Sequence, residues 1–183
     1  MIFSIVWLSC LFVMFYPEID LFLDFNMSYH MVIQPLVFIC FGYLLGKKIN
    51  VNFGVFNVFG VSGLIFFLGN YIFWMIPRSL ELTLINSFYD KICHLSFIVS
   101  GLVLSRSFLR MAFFIRASFG IHFLAMFSSL GLFYSVYASQ TCTSYSLIQQ
   151  KEAGAMFLFI AIPLWLSHLY WIFMGDLFFG KKS

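Results

Sequence analysis

Two histidines, each near the start of a long apolar segment, are the residues whose types and spacing best suit chemistry. His30 stands in "SYHMVIQPL" and His94 in "YDKICHLSF". Met31 follows His30 directly, and imidazole nitrogen with thioether sulfur is a ligand combination that suits copper. We therefore predict a metal site formed by His30, Met31 and His94, with copper as its metal.

Two more histidines lie deeper in apolar segments. At a rise of about 1.5 Å per residue, His122 lies roughly 16 Å from the inner end of its segment and His168 roughly 10 Å from the inner end of its own. Four histidines on four helices, two outer and two deeper, are also the ligand set of a membrane cytochrome with two bis-histidine haems. The alternative interpretation is thus an electron-transfer protein whose b-type haems bind His30, His94, His122 and His168. Histidines in membrane helices also serve as interhelical hydrogen-bond partners.

The elements that must position these side chains are predicted to be membrane helices. Hydrophobic residues make up 62% of the 183 residues and charged residues only 9%, whereas soluble domains carry about 25% charged residues. The chain is predicted to be an integral membrane protein surrounded by lipid. Its net charge of +3 is small and scattered, which excludes a typical nucleic-acid-binding surface.

Six apolar runs are long or nearly long enough to cross a bilayer as helices, which takes about 20 residues. They are continuously apolar, without the alternation of barrel strands, so the predicted fold class is all-α, a polytopic transmembrane bundle of about six helices. No polar linker divides the chain, which predicts a single domain over residues 1–183. The runs lie near 2–16, 28–46, 54–76, 91–109, 111–137 and 153–175.

Basic residues at every second boundary between the runs predict the orientation. Positive charge favours the cytoplasmic side, so both termini are predicted to be cytoplasmic. The acids of the opposite boundaries, and with them the proposed metal site, then face outward. The basic residues are Lys47, Lys48, Arg106, Arg110, Lys181 and Lys182, and the acids are Glu18, Asp20, Asp24, Glu81 and Asp90.

The remaining motifs are few. Gly42 and Gly46 have the spacing that lets membrane helices approach closely. The four cysteines form no CxxC pair, and Cys142, in the polar loop 139–152, is expected to be accessible from outside. No nucleophile elbow, phosphate loop or catalytic carboxylate pair is present, so we expect no independent catalytic activity.

Three segments resemble, in order and spacing, the CtaG-like membrane proteins associated with haem-copper cytochrome oxidases. They are "SYHMVIQPLVFICFGYLLG", "FWMIPRSLELTLINSFYDKICHLSFIVSGLVL" and "IQQKEAGAMFLFIAIPLWL". The matching motif residues are His30-Met31, Trp74 with Pro77, His94, and Gln149-Gln150 with Ala153-Gly154. Gln34 stands where that family commonly has a second histidine.

The resemblance implies a multi-pass protein of a prokaryotic cell membrane. It further implies a role beside a respiratory terminal oxidase or a similar membrane metalloenzyme complex. The chain would act there as a small accessory subunit or as an assembly factor for the copper centre, and subunits of that complex would be its partners.

Overall fold

The described part of the chain is almost entirely helical. The computed structural model describes residues 16–49, 57–136 and 142–179, and these ranges contain no strand. The predicted all-α class is confirmed. The helices are α1 (Pro17–Asp24), α2 (Tyr29–Lys48), α3 (Val61–Met75), α4 (Pro77–Ile85), α5 (Ser87–Arg110), α6 (Phe113–Val136) and α7 (Leu147–Phe179).

Four of these helices are long and apolar enough to cross a membrane: α2, α5, α6 and the stretch Leu147–Met174 of α7. A fifth crossing results if α3 and α4, which are bent by 70° at a short break, count as one span. Each of the five later predicted runs overlaps one of these helices over its described residues. The run near 2–16 and the basic pair Lys181 and Lys182 lie outside the described residues.

Two boundary regions between the predicted apolar runs form helices of their own. Residues after Pro17 form α1, and residues after Pro77 form α4. Proline suits the first turn of a helix because its missing N–H has no acceptor there. Pro77 therefore ends the hydrogen bonding of α3 and starts α4 in a new direction. Asn86 then begins α5, since its side chain accepts a hydrogen bond from the Phe88 amide at 2.9 Å.

Helices α2 and α5 pack against each other through glycines. A Cβ atom at Gly42 would lie 1.9 Å from the carbonyl oxygen of Ile98, and one at Gly101 would lie 2.1 Å from that of Ile39. No larger residue fits at this distance. The prediction that Gly42 and Gly46 serve close helix packing is confirmed, because a Cβ at Gly46 would meet the Ser105 hydroxyl at 2.0 Å.

Aromatic rings fill the space between α3, α5, α6 and α7. Tyr71 contacts Phe97 and Phe123, with ring centroids 6.2 and 5.3 Å apart. Phe127 packs edge-on against Phe157 at 4.7 Å. Edge-to-face pairs of this kind favour one packing arrangement over others.

The two ends of the bundle differ in charge. Arg106 and Arg110 donate hydrogen bonds to the backbone carbonyls of Ile49 and Asn57 at one end. The opposite end collects α1, the start of α2, α4, the start of α5 and the segment before α7. We call it the acidic end, because it carries Asp20, Asp24, Glu81 and Asp90.

Candidate functional site

The first turn of α2 presents His30 at the acidic end. Residues Tyr29–Ile33 form a π-helical turn, a local irregularity that is frequent at functional sites. His30 is buried, its Nδ1 lies 2.6 Å from Asp24 Oδ1, and its Nε2 lies 3.1 Å from Thr83 Oγ1. The Thr83 hydroxyl donates its own hydrogen to the Leu80 carbonyl at 2.7 Å, so it accepts from Nε2. Both nitrogens of His30 are therefore engaged by protein groups.

His94, on α5, faces two carboxylates. Its Nε2 lies 3.3 Å from Asp90 Oδ1, one helical turn earlier, and 3.9 Å from Asp20 Oδ1 of α1. His94 and Asp90 are only 2% and 3% exposed, and the His94 ring packs on Phe38 with centroids 4.4 Å apart. One ligand atom from each of Asp20, Asp90 and His94 lies within 4.8 Å of the others. This is a compact group of metal-ligating side chains.

Gln34 joins the His94 group to the His30 group. Its amide nitrogen donates to Asp20 Oδ1 at 3.2 Å and to Asp24 Oδ1 at 3.5 Å. The side chain is 1% exposed, and its Oε1 atom is buried without a hydrogen-bond partner. Buried amide oxygens are nearly always paired, so this atom marks a place where a further group would be favourable.

The electrostatics of the cluster follow from its burial. Desolvation raises the pKa of the Asp20 carboxyl above its usual range, and the nearby Asp24 charge raises it further. One carboxylate oxygen of Asp20 and one of Asp90 lie within 4.8 Å of each other. Two carboxylates at this distance repel each other unless a proton or a cation lies between them. The charge of Lys91 lowers the pKa of Asp20 and so offsets part of this repulsion, and a cation bound between the carboxylates would offset more.

A small cavity lies beside both imidazoles. Its lining includes His30, Gln34, Trp74, Cys93 and His94, and its volume is about 10 Å³. That is roughly the space of one water-sized sphere. It accommodates a single ion or water molecule but no porphyrin.

The segment before α7 covers the His30 side of the cluster. The Tyr145 hydroxyl donates to the Asp24 carbonyl at 2.7 Å, and Gln149 donates to the Phe25 carbonyl at 3.0 Å. Gln150 is buried and donates to the carbonyls of Cys142 and Tyr145, each at 3.0 Å. These bonds tie the start of α7 to the turn between α1 and α2.

The expected accessibility of Cys142 is wrong. Its side chain is fully buried, and its carbonyl accepts a hydrogen bond from the buried Gln150 side chain. Burial raises the pKa of the Cys142 thiol to about 11, and the charge of Glu81 adds to this. Glu81 in turn accepts two hydrogen bonds from Thr143, from its amide at 2.7 Å and from its hydroxyl at 2.6 Å, which holds the segment against α4.

Each of the two deeper histidines has a ring nitrogen within hydrogen-bond distance of a backbone carbonyl. His122 is exposed on α6, and its Nδ1 lies 2.8 Å from the Ser118 carbonyl of its own helix. His168 lies against Gly120, where a Cβ would come within 2.1 Å of its ring, and its Nε2 lies 3.1 Å from the Ala117 carbonyl. A haem plane has no room between His168 and α6. These residues do not fit a bis-histidine haem.

Of the three predicted copper ligands, the structure brings two to one cavity. His30 and His94 both line it, whereas Met31 is fully buried in the hydrophobic core. Since both nitrogens of His30 are engaged, the set of His30, Met31 and His94 does not fit a copper ion well. The donors that do converge on His94 are carboxylate oxygens.

Sequence reasoning missed these carboxylates as ligands. Asp20 and Asp90 were assigned to an outer charged boundary, although the spacing of Asp90 and His94, four residues apart on one helix, places both on the same face. Thr83 gave no signal, because it lies in a boundary between two predicted apolar runs, where no helix was predicted. Comparisons with protein-family models, with curated proteins and with solved structures found no match to this chain.

Proposed function

We propose that this chain is a multi-pass membrane protein that holds a metal ion at its acidic end and serves a respiratory metalloenzyme complex, such as a terminal oxidase. It acts there as a small permanent subunit or as an assembly factor for a metal centre. The proposal assigns it no reaction of its own and places it in a prokaryotic cell membrane.

The observation that carries the proposal is the buried polar cluster around His94. Ionisable side chains in membrane helices are costly and usually functional. Here Asp90 and His94 are almost completely buried, and Asp20 is only 20% exposed at its side chain. A bundle that needed only to pack would be more stable with apolar residues at these positions.

The respiratory role is supported by where the three CtaG-like segments meet. The first contributes His30, the second contributes Trp74 and His94, and the third contributes Gln149 and Gln150. Trp74 lines the cavity beside both histidines and donates to Ser96 at 2.7 Å. Gln149 and Gln150 hold the segment that covers His30. Motif residues from distant stretches therefore converge on one site.

The acidic end faces outward in this proposal, because the basic residues at the opposite end favour the cytoplasm. Lys47, Lys48, Arg106 and Arg110 all belong to that opposite end. An ion bound beside His94 would then be accessible from the side on which periplasmic or extracellular metal is delivered.

The proposal is tested by purifying the tagged chain from its native membrane in a mild detergent and identifying the co-purified proteins by mass spectrometry. We expect subunits of a terminal oxidase or another respiratory metalloenzyme to be enriched. In a deletion strain, we expect reduced assembly of that enzyme, restored by the wild-type chain and by His122→Asn but not by His94→Asn. His122 is the matched control because it is a membrane histidine outside the cluster.

Two results would contradict the proposal. One is a chain that purifies without any respiratory subunit, together with unchanged enzyme assembly in the deletion strain. The other is a Soret band in the purified chain that disappears on replacing His122 or His168, which would favour the b-type cytochrome instead.

A further inference from the structure

We infer that Asp20, Asp90 and His94 form a binding site for one divalent transition-metal ion, with the amide oxygen of Gln34 as a fourth donor. The inference deepens the proposed function, since it identifies the donors and the class of ion at the same site. It depends on the metal-handling part of that proposal and not on the respiratory partner.

The spacing of the donors suits such an ion. Nitrogen and oxygen donors lie about 2.0 to 2.1 Å from a tetrahedral zinc-like ion, which puts neighbouring donors about 3.3 Å apart. Asp90 Oδ1 and His94 Nε2 are 3.3 Å apart, and Asp20 Oδ1 is 3.9 Å from the same nitrogen. The three groups thus need only small side-chain shifts to close around an ion.

Gln34 supplies the independent observation. Its amide already contacts Asp20 Oδ1 at 3.2 Å, while its Oε1 is buried without a hydrogen-bond partner. The terminal torsion of glutamine is broad and nearly two-fold. The side-chain amide can therefore rotate by about 180°, which exchanges the positions of its oxygen and its nitrogen. When its nitrogen points towards Asp20, the Gln34 amide donates a hydrogen bond that stabilises the Asp20 carboxylate in the ion-free protein. With Oε1 towards the site it becomes a ligand.

Charge decides the class of ion. Two carboxylates and a neutral imidazole carry two negative charges, which a divalent ion neutralises and a monovalent ion does not. Burial makes the difference large, because an uncompensated charge in an apolar environment is strongly unfavourable. Carboxylate and amide oxygens with one imidazole also match zinc, manganese or ferrous ions better than Cu⁺, which prefers sulfur.

Contacts between the proposed ligands and neighbouring side chains orient the ligands, as is usual at metal sites. The His94 ring packs on Phe38, and the Gln34 amide also reaches Asp24, which pairs with His30. His30 is therefore assigned a positioning role through Asp24 and not a place in the ligand set.

The test measures binding of Zn²⁺ to the full chain, purified in mild detergent and stripped with a chelator. We expect one ion per chain by calorimetry, and a rise in Tm of about 5–10 °C when free Zn²⁺ is about 100-fold above its Kd. Mn²⁺ or Co²⁺ should give a smaller rise in the same direction, and Cu⁺ a rise below that of Zn²⁺.

The variants Asp90→Asn and His94→Gln should weaken Zn²⁺ binding by at least about 100-fold, beyond the usual effect of an outer contact. Glu81→Gln is the matched control, because Glu81 is an acid of the same end that contacts Thr143 instead. It should bind Zn²⁺ like the wild type. Asp90→Asn keeps a hydrogen-bonding group of the same shape while removing one of two repelling carboxylates, so its ion-free Tm should stay equal or rise.

Four results would overturn the inference. They are wild-type protein without a Zn²⁺-dependent rise in Tm, wild-type affinity in Asp90→Asn, an equal loss in Glu81→Gln, and a larger rise in Tm with Cu⁺ than with Zn²⁺. If Zn²⁺ binds as expected but no respiratory subunit co-purifies, the respiratory role fails and the metal site stands. If respiratory subunits co-purify and Zn²⁺ does not bind, the metal site alone fails.

Discussion

Replacing Gly42 by alanine should separate α2 and α5, which are two of the three helices that carry the proposed metal ligands. Gly42 lies on α2 against the α5 backbone, and a Cβ atom there would come within 1.9 Å of the Ile98 carbonyl oxygen. Ordinary contacts begin near 3.4 Å. The Ile98 carbonyl oxygen belongs to the backbone and cannot rotate away as a side chain could. Helices α2 and α5 must therefore move apart locally by about 1.5 Å.

The movement has a cost in stability and a consequence at the site. Forcing an extra methyl group into a well-packed contact costs about 1–3 kcal/mol in the free energy of unfolding. Gln34 lies eight residues earlier on α2, about 12 Å along the helix axis. A shift of α2 there would increase its distance from Asp90 and His94 on α5. We therefore expect both a lower Tm and weaker Zn²⁺ binding.

Gly69→Ala is the matched control. Gly69 is also a helix glycine, on α3, but a Cβ atom there meets nothing within 4 Å. Alanine adds about 1 kcal/mol of helix propensity at either position, so the difference between the variants isolates the clash. Thermal unfolding of both variants in the same detergent, followed by circular dichroism, measures it. Equal Tm values for Gly42→Ala and Gly69→Ala would refute the close packing of α2 on α5.

Three further expectations concern single residues. Cys142 should react with N-ethylmaleimide only slowly in the folded protein and rapidly after denaturation. With a thiol pKa of about 11, only about one thiol in a thousand is ionised at pH 8, so even the slow rate should rise about tenfold per pH unit. Tyr145→Phe should lower stability by about 1 kcal/mol, because it removes the hydrogen bond to the Asp24 carbonyl. His122→Leu should leave the Tm unchanged within about 2 °C, because the side chain is exposed on α6. A large loss in His122→Leu would indicate that this side chain has a stabilising partner besides the Ser118 carbonyl of its own helix. Fast labelling of Cys142 would show that the segment around it opens.

The parts of the fold that follow from hydrophobicity were predictable. Continuous apolar runs specify helices in a membrane because every backbone group must be satisfied within the segment. The close spacing of Gly42 and Gly46 likewise predicted a helix contact without any knowledge of the partner helix. These features depend on local sequence alone.

The site was only partly predictable, because it depends on how short segments fold back. His30 and His94 were identified by their depth along two helices. The carboxylate of Asp20 reaches His94 only because residues after Pro17 form a helix that lies against α2. Charged residues between apolar runs are usually solvated, and no local pattern distinguishes an acid that turns inward. The local patterns of a single sequence do not specify tertiary contacts of this kind.

The bend between α3 and α4 leads to a last prediction, on Thr83. The 70° turn at Pro77 directs α4 so that Thr83 reaches His30 Nε2 at 3.1 Å. Thr83→Val keeps the shape of the side chain but removes this acceptor, which leaves a buried ring nitrogen without a partner and should cost about 1–3 kcal/mol of stability. Thr83→Ser keeps the hydroxyl and serves as the control, so its Tm in the same detergent should remain well above that of Thr83→Val. Indistinguishable Tm values for the two variants would mean that α4 does not hold His30 in place, and the positioning role assigned to His30 would lose its support.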